Sequence, residues 1–300
     1  MQITVAPASA QTLRAAVEKL LNDETRPTVI GIYRNLNKVP AEFKSHPNFK
    51  AVQADLSDAG SLDFTGSDAV LALTPPKYDG SDFIAETKKA ATNVRNAIER
   101  SGTVRRLVYI SSMGAQHAEG VGEVRTNHES EEIFRSAAPE VVFIRNGYFM
   151  ENWASALETI RADPPFFYST ITPIDYKLPM ISARDIGRTA ATELLATGSP
   201  LKANPYIFNL HGPKSYSTLD VQRAFEEVTG KKIEVKLIEK DQLTSFYTNI
   251  LPPNIVGAFV EMTLSFLPGG IQEEEMNSSE NMRRGQDTLV DAFKALLQKS

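Results

Sequence analysis

Six short runs rich in Val, Ile and Leu recur through the first half of the chain, each followed by a stretch with helical spacing. They cover residues 3–6, 28–33, 49–54, 68–73, 106–111 and 141–145. Strands apolar on both faces must be covered on both faces, which a parallel sheet with helices above and below provides. The alternation therefore predicts an α/β fold with a doubly wound parallel sheet and right-handed crossovers. The longest connecting helix is expected at 83–100, closed by Ser101 and Gly102. Ligands on such sheets bind beyond the carboxyl ends of the strands. That directs attention to segments 7–13, 34–38, 74–79, 112–128 and 146–152.

Beyond residue 152 the pattern becomes mixed. Asp163-Pro164-Pro165 and Thr172-Pro173 break the chain, helices are expected at 184–196 and 218–229, and strands at 204–211 and 232–239. The expected organisation is a dinucleotide-binding-like domain over 1–152 and a smaller α/β cap over 153–300, with 179–211 packing back on the first sheet. Acids and bases are interleaved and sum to a net charge of −5, which gives a nucleic-acid partner no support. With no cysteine, disulfides, thiol catalysis and Cys-type zinc sites are excluded, and no metal site is expected. The early apolar stretch carries Arg14, Glu18 and Lys19, and no uncharged run approaches a membrane span, so a cytoplasmic protein is expected.

The opening residues 3–21, ITVAPASAQTLRAAVEKLL, read as strand, tight turn and amphipathic helix. This turn carries the glycine-rich fingerprint of dinucleotide-binding proteins, whose glycines would fall at positions 7, 10 and 13. Here those positions hold Pro7, Ala10 and Leu13. Proline has no N–H to give a phosphate, Ala10 adds a methyl where bare backbone is needed, and Leu13 occupies the point of close helix–sheet approach. Losing one good hydrogen bond costs about 1–3 kcal/mol, so no dinucleotide is expected to bind tightly. The alternative is a shifted loop in which Ser9, Gln11 and Thr12 supply the donors. Arg34, at the end of the second strand, then favours NADP(H), since an arginine there accepts a 2′-phosphate.

Five further segments occur in order: YRNLNK (33–38), AVQADLSDAGSL (51–62), LALTPP (71–76), VYISSMGA (108–115) and FIRNGYFMENW (143–153). Together they resemble the NmrA-like branch of the atypical short-chain dehydrogenase/reductases. The resemblance implies a Rossmann domain, a small C-terminal domain and a cleft between them. Such proteins include NADP(H)-dependent reductases of quinones and small aromatic molecules, and redox-sensing regulators without turnover. It further implies that Asp55 faces the adenine, that Thr74 and Pro75 lie near the nicotinamide, and that Ser112 bonds a substrate oxygen.

Short-chain dehydrogenases pair a tyrosine with a lysine four residues later. None of the nine tyrosines has lysine at that spacing, and no lysine lies between Lys89 and Lys177. The remaining proton-transfer candidates are His117, His128 and Tyr148, with Ser112; Asn127 is equally read as the cap of a helix over 127–136, leaving His128 solvated. Met113, Asn146, Phe149, Met150 and Asn152 are expected to hold an apolar substrate, with Trp153 nearby. In 255–267, Phe259 and Met262 share a helical face that suits a lid, a dimer surface or buried core. Missing phosphate-loop glycines and a missing Tyr–Lys pair together favour a non-redox enzyme of small-molecule, including secondary, metabolism: an isomerisation, cyclisation or dehydration. The alternatives are an NADP(H)-dependent reductase with an unorthodox phosphate loop and a non-catalytic regulator or binding protein.

Overall fold

The computed structural model describes residues 1–196 and 198–299. Its strands are β1 (Gln2–Ala6), β2 (Thr28–Tyr33), β3 (Phe49–Gln53), β4 (Ala69–Ala72), β5 (Arg106–Ser112), β6 (Glu140–Asn146), β7 (Tyr148–Phe149), β8 (Phe166–Ser169), β9 (Leu178–Ile181), β10 (Tyr206–His211), β11 (Ser215–Tyr216), β12 (Glu234–Leu237) and β13 (Met282–Arg284). The helices are α1 (Gln11–Leu21), α2 (Ala41–Lys44), α3 (Phe83–Ser101), α4 (Arg125–Phe134), α5 (Ala183–Leu195), α6 (Thr218–Thr229), α7 (Leu243–Thr248), α8 (Pro253–Phe266), α9 (Glu273–Asn277) and α10 (Leu289–Lys299).

Eight strands form one parallel sheet in the order β13-β10-β6-β5-β4-β1-β2-β3. Within it, β1–β6 have the 3-2-1-4-5-6 order of a doubly wound dinucleotide fold. Strand periodicity divides the apolar residues between two layers. Val108, Ile110, Val142 and Ile144 join the layer beneath α1 and α5, while Leu107, Tyr109, Val141 and Phe143 join the layer beneath α3 and α4. Burial on both faces explains why β4 is buried at every residue.

The third glycine of the expected fingerprint normally lets the first helix approach its neighbours. Here Leu13 is fully buried in the core, and a close approach is made elsewhere. Gly187 of α5 lies against α1, where a Cβ would sit 2.6 Å from the Thr12 carbonyl oxygen, the Ala16 nitrogen and the Ala15 methyl. This is a helix–helix contact, distinct from the helix–strand packing that the third glycine serves.

Strands β10 and β13 from the later half return to the large sheet. The rest of that half builds a cap: the three-stranded set β11-β9-β7, the two-stranded set β12-β8, and helices α6 to α10. Its core holds Trp153, Phe167, Phe225 and Phe293, with Phe225 and Phe293 stacked at 4.0 Å between ring centroids. No helix among the described residues is long and apolar enough to cross a membrane. The helix expected at 127–136 instead runs Arg125–Phe134, entered through a 3₁₀ turn at Gly122–Val124. Asn127 is therefore inside the first turn, and its Oδ1 accepts from the Tyr109 hydroxyl at 3.4 Å rather than capping the helix.

Candidate active site

Because β4, β5 and β6 are neighbours, their carboxyl ends open onto one cavity of about 390 Å³. Thr74 and Pro76 follow β4, Ser112 ends β5 and Met113 follows it. Asn146 ends β6, Tyr148, Phe149 and Asn152 follow it, and Met262 and Phe266 of α8 close the far side. The wall is mostly apolar with a few polar groups, the usual make-up of a small-molecule site.

Its floor is rigid. The Thr74 hydroxyl bonds the Tyr109 hydroxyl at 2.8 Å and Ser130 Oγ at 2.9 Å. Ser111 Oγ donates to Glu131 Oε1 at 2.6 Å, and Arg145 grips the same carboxylate through Nε at 2.9 Å and Nη2 at 2.6 Å. The Asn146 amide donates to the carbonyls of Ser111 (2.8 Å) and Ile144 (2.9 Å), locking the ends of β5 and β6 together. Its Oδ1 is buried without a partner.

On the cap side, Tyr148 packs 6.0 Å from both Trp153 and Phe266, measured between ring centroids. Burial lifts the Tyr148 hydroxyl well above the ordinary phenol range, Tyr247 adds to the effect, and a hydrogen bond with Asn152 opposes it. Tyr148 is thus a neutral phenol. Met150 faces away: it is fully buried in the cap core, where its methyl would meet a Cβ on Gly212 at 3.2 Å. Phe259 also stands behind the wall, packed edge-on against Tyr78 and Tyr247.

The two histidines lie outside this cavity. His117 lines a separate depression with Gln116, Arg145 and Glu275, and its Nε2 contacts Gln116 Nε2 at 3.1 Å. His128 donates from Nδ1 to the Ala115 carbonyl at 2.9 Å, which ties α4 to the loop after β5. Ser112 does line the cavity, though its hydroxyl donates to the Met113 carbonyl at 3.0 Å.

One cavity residue that sequence reasoning passed over is Glu123. It sits in the 3₁₀ turn before α4, and its Oε1 accepts from the Tyr78 hydroxyl at 3.1 Å. Burial raises its pKa above the usual carboxyl range, against the pull of the bonds from Tyr78 and Thr126. Its signal was a charge flanked by Val121 and Val124 in an otherwise apolar turn.

At the head of α1, Ala8 N–H is spent on the Ile32 carbonyl (2.9 Å) and Ala10 N–H on the Pro7 carbonyl (3.2 Å). No side chain caps the helix, and no acid stands in its first turn. Its partial positive end is therefore open to an anion. Ser9 and Gln11 are exposed there, whereas Thr12 is buried at the contact with α5. Nearby, burial works against the Asp55 carboxylate. The Ser57 hydroxyl and amide, aided by Arg34 and Lys77, nonetheless hold its pKa below the usual range. Arg34 and Lys77 thus lie within electrostatic reach of Asp55, Lys77 being paired with Glu86 at 2.8 Å, and Lys77 is a second residue the sequence reading missed. Pro75 is exposed beside Thr74, outside the cavity lining. No cluster of three or more potential metal ligands exists among the described residues.

A sheet of this order with a cavity at the ends of its central strands defines a Rossmann-type, doubly wound protein. The chain belongs to the NmrA-like family, whose model matches residues 1–283. In sequence it is similar to the NAD(P)H azoreductase of Xenophilus azovorans, 24% identical over 199 residues. That stretch covers 66% of this chain and 64% of the relative, so the chain spans just under two thirds of that protein. In structure it is similar to the NADPH-dependent quinone oxidoreductase of Escherichia coli in complex with NADPH, with TM-score 0.76, 18% identity, and 99% and 100% of the two chains covered. The triphenylmethane reductase of Citrobacter complexed with NADP(H) matches with TM-score 0.72 and 18% identity over 98% and 99% of the chains.

Proposed function

We propose that the chain is an NADP(H)-dependent reductase of a flat, uncharged, conjugated small molecule bound in the cavity at the ends of β4, β5 and β6. The observation that carries this reading is the adjacency of two features. The sheet order sets the uncapped α1 N-terminus, which follows β1, between Arg34, which follows β2, and the loop after β4, which lines the apolar, aromatic-walled cavity. The similarity to three nicotinamide-dependent reductases supports it over the non-redox step favoured by the sequence.

The residues present fit a dinucleotide, with fewer backbone donors than a glycine-rich loop offers. Ser9, Gln11 and the first-turn N–H groups of α1 would hold the phosphates. Arg34 and Lys77 would take a 2′-phosphate, and Asp55 and Thr74 would line the path between them and the cavity. A bound reduced nicotinamide supplies a hydride. The protein's own part is to exclude water with Phe149, Met262 and Phe266 and to orient the ligand with Ser112, Tyr148 and Asn152. Titration with NADPH and NADH, followed by fluorescence or calorimetry, tests the reading. Saturable NADPH binding with turnover of a quinone or azo acceptor is expected. No binding at millimolar cofactor would remove it.

A further inference from the structure

We propose that the Glu123 carboxyl is the hydrogen-bond and proton donor of the cavity, and that it selects an uncharged acceptor presenting a carbonyl oxygen, as in a quinone or enone. The proton-transfer half of this rests on the reductase reading above; the hydrogen-bonding half does not.

The position of Glu123 is fixed on three sides. Gly122 holds φ +55° and is pressed onto α8, where a Cβ would sit 2.5 Å from the Met262 nitrogen and closer still to the Ala258 carbonyl oxygen. The Gly122 N–H donates to Glu261 Oε2 at 3.1 Å. Thr126 Oγ1 donates to the Glu123 carbonyl at 2.9 Å. On the side chain, both the Tyr78 bond at 3.1 Å and the longer Thr126 approach at 3.5 Å fall on Oε1. Oε1 thus acts as the carbonyl oxygen of an acid, and Oε2 is the oxygen left for a ligand. Phe259, edge-on to Tyr78 at 5.6 Å, backs the tyrosine that orients the carboxyl.

Among the described residues, no cation pairs with this carboxyl. The groups around the carboxyl are Tyr78 from the β4–α3 loop, Tyr109 from β5, Thr126, Asn127 and Glu131 from α4, and Glu261 from α8. Glu131 is already held by Arg145, and Lys88 and Arg125 are paired with Glu129. Burial of this carboxyl without a cation beside it raises its pKa, and its protonated form donates a hydrogen bond; the same apolar surroundings disfavour an anionic ligand through the cost of desolvating its charge. A bound reduced nicotinamide would supply the hydride equivalent for a new C–H bond on the conjugated acceptor. The displaced π pair moves onto the carbonyl oxygen. That oxygen takes the proton from Glu123 Oε2, and the carboxylate left behind is reprotonated from water. One dinucleotide is oxidised for each two-electron reduction of the acceptor.

The test uses the full chain without cofactor, then with NADPH. Infrared difference spectra of the apo protein against Glu123→Gln at neutral pH should show a protonated carboxylic acid lost in the variant. Binding of 1,4-naphthoquinone, followed through the fluorescence of Trp153, the one tryptophan, should weaken roughly ten- to a hundredfold as pH rises through the carboxyl's pKa. In Glu123→Gln, which keeps a donor but no labile proton, binding should stay tight and independent of pH. Reduction with NADPH should slow by roughly 10²–10⁴-fold in that variant, the usual contribution of a general acid. An ionised carboxyl in the infrared spectrum, or a Glu123→Gln reduction rate equal to wild type, would overturn the proposal. A protonated Glu123 that binds naphthoquinone while NADPH fails to bind would overturn the reductase reading instead and support the donor assignment.

Discussion

Gly187 of α5 lies on Thr12 of α1 so closely that any side chain on it would collide with backbone, its Cβ falling 2.6 Å from the Thr12 carbonyl oxygen. The two helices therefore meet at backbone distance through a glycine on α5. Gly187→Ala should gain a little helix propensity yet lose about 1–3 kcal/mol net through forced separation of the two helices. Urea unfolding measures this. A variant as stable as wild type would show that α1 and α5 can move apart freely.

The head of α1 and the two cations acting on Asp55, Arg34 and Lys77, lead to a discrimination between cofactors. Arg34→Ala and Lys77→Ala should each weaken NADPH binding roughly tenfold or more, as loss of a charged hydrogen bond does, while changing NADH binding little. Calorimetric titration of both cofactors against each variant decides it. Equal losses for the two would mean that neither side chain meets a 2′-phosphate.

His211 gives a prediction about acid. It is buried, with Nε2 3.2 Å from the sulfur of Met113, a residue of the cavity wall. Burial, with Arg284 adding to it, lowers its pKa to about 4. The unfolded chain, with an ordinary histidine near pH 6.5, therefore binds the proton more readily. Its contribution is complete above about pH 6.5 and is lost as pH falls toward 4, amounting to roughly 3 kcal/mol. Urea unfolding at neutral pH and near pH 4 should show that loss in wild type and a smaller one in His211→Gln. Parallel pH profiles for both proteins would contradict it.

The histidines that the sequence proposed for acid–base work stand outside the cavity. His117→Ala and His128→Ala should each keep kcat/KM within a few-fold of wild type on any acceptor the protein reduces. His128→Ala should lose about 1 kcal/mol of stability with its bond to Ala115. A drop of two orders of magnitude in kcat/KM for either variant would return it to the chemistry.

Much of the sheet is legible from residue order. Runs such as 106–111 and 141–145 are apolar at successive positions because each strand is covered on two faces, and β5 and β6 fall on them almost residue for residue. The chain's most specific motif, 143–153, likewise brings Asn146, Tyr148, Phe149 and Asn152 to one cavity. Met150, within the same motif, goes to the cap core, because the 3₁₀ turn that follows β7 directs it inward. Local pattern tells which residues are buried and leaves open against what.

The proline, alanine and leucine at positions 7, 10 and 13 show the same division. They removed the expected phosphate signature and pointed away from redox chemistry. The folded chain leaves the N-terminus of α1 without a side-chain cap and brings Arg34 and Lys77 within electrostatic reach of Asp55, features that depend on how loops after separate strands converge.

By itself the sequence determined the parallel sheet, its two apolar layers and its carboxyl-end site, because period and burial are properties of neighbouring residues. Only the tertiary structure decided that Gly187 brings α5 onto α1 and that Glu123 and Tyr78 meet in the cavity. It also decided that His117 and His128 stay out of it. Those outcomes depend on contacts between segments far apart in the chain, and no local spacing encodes the distance between them.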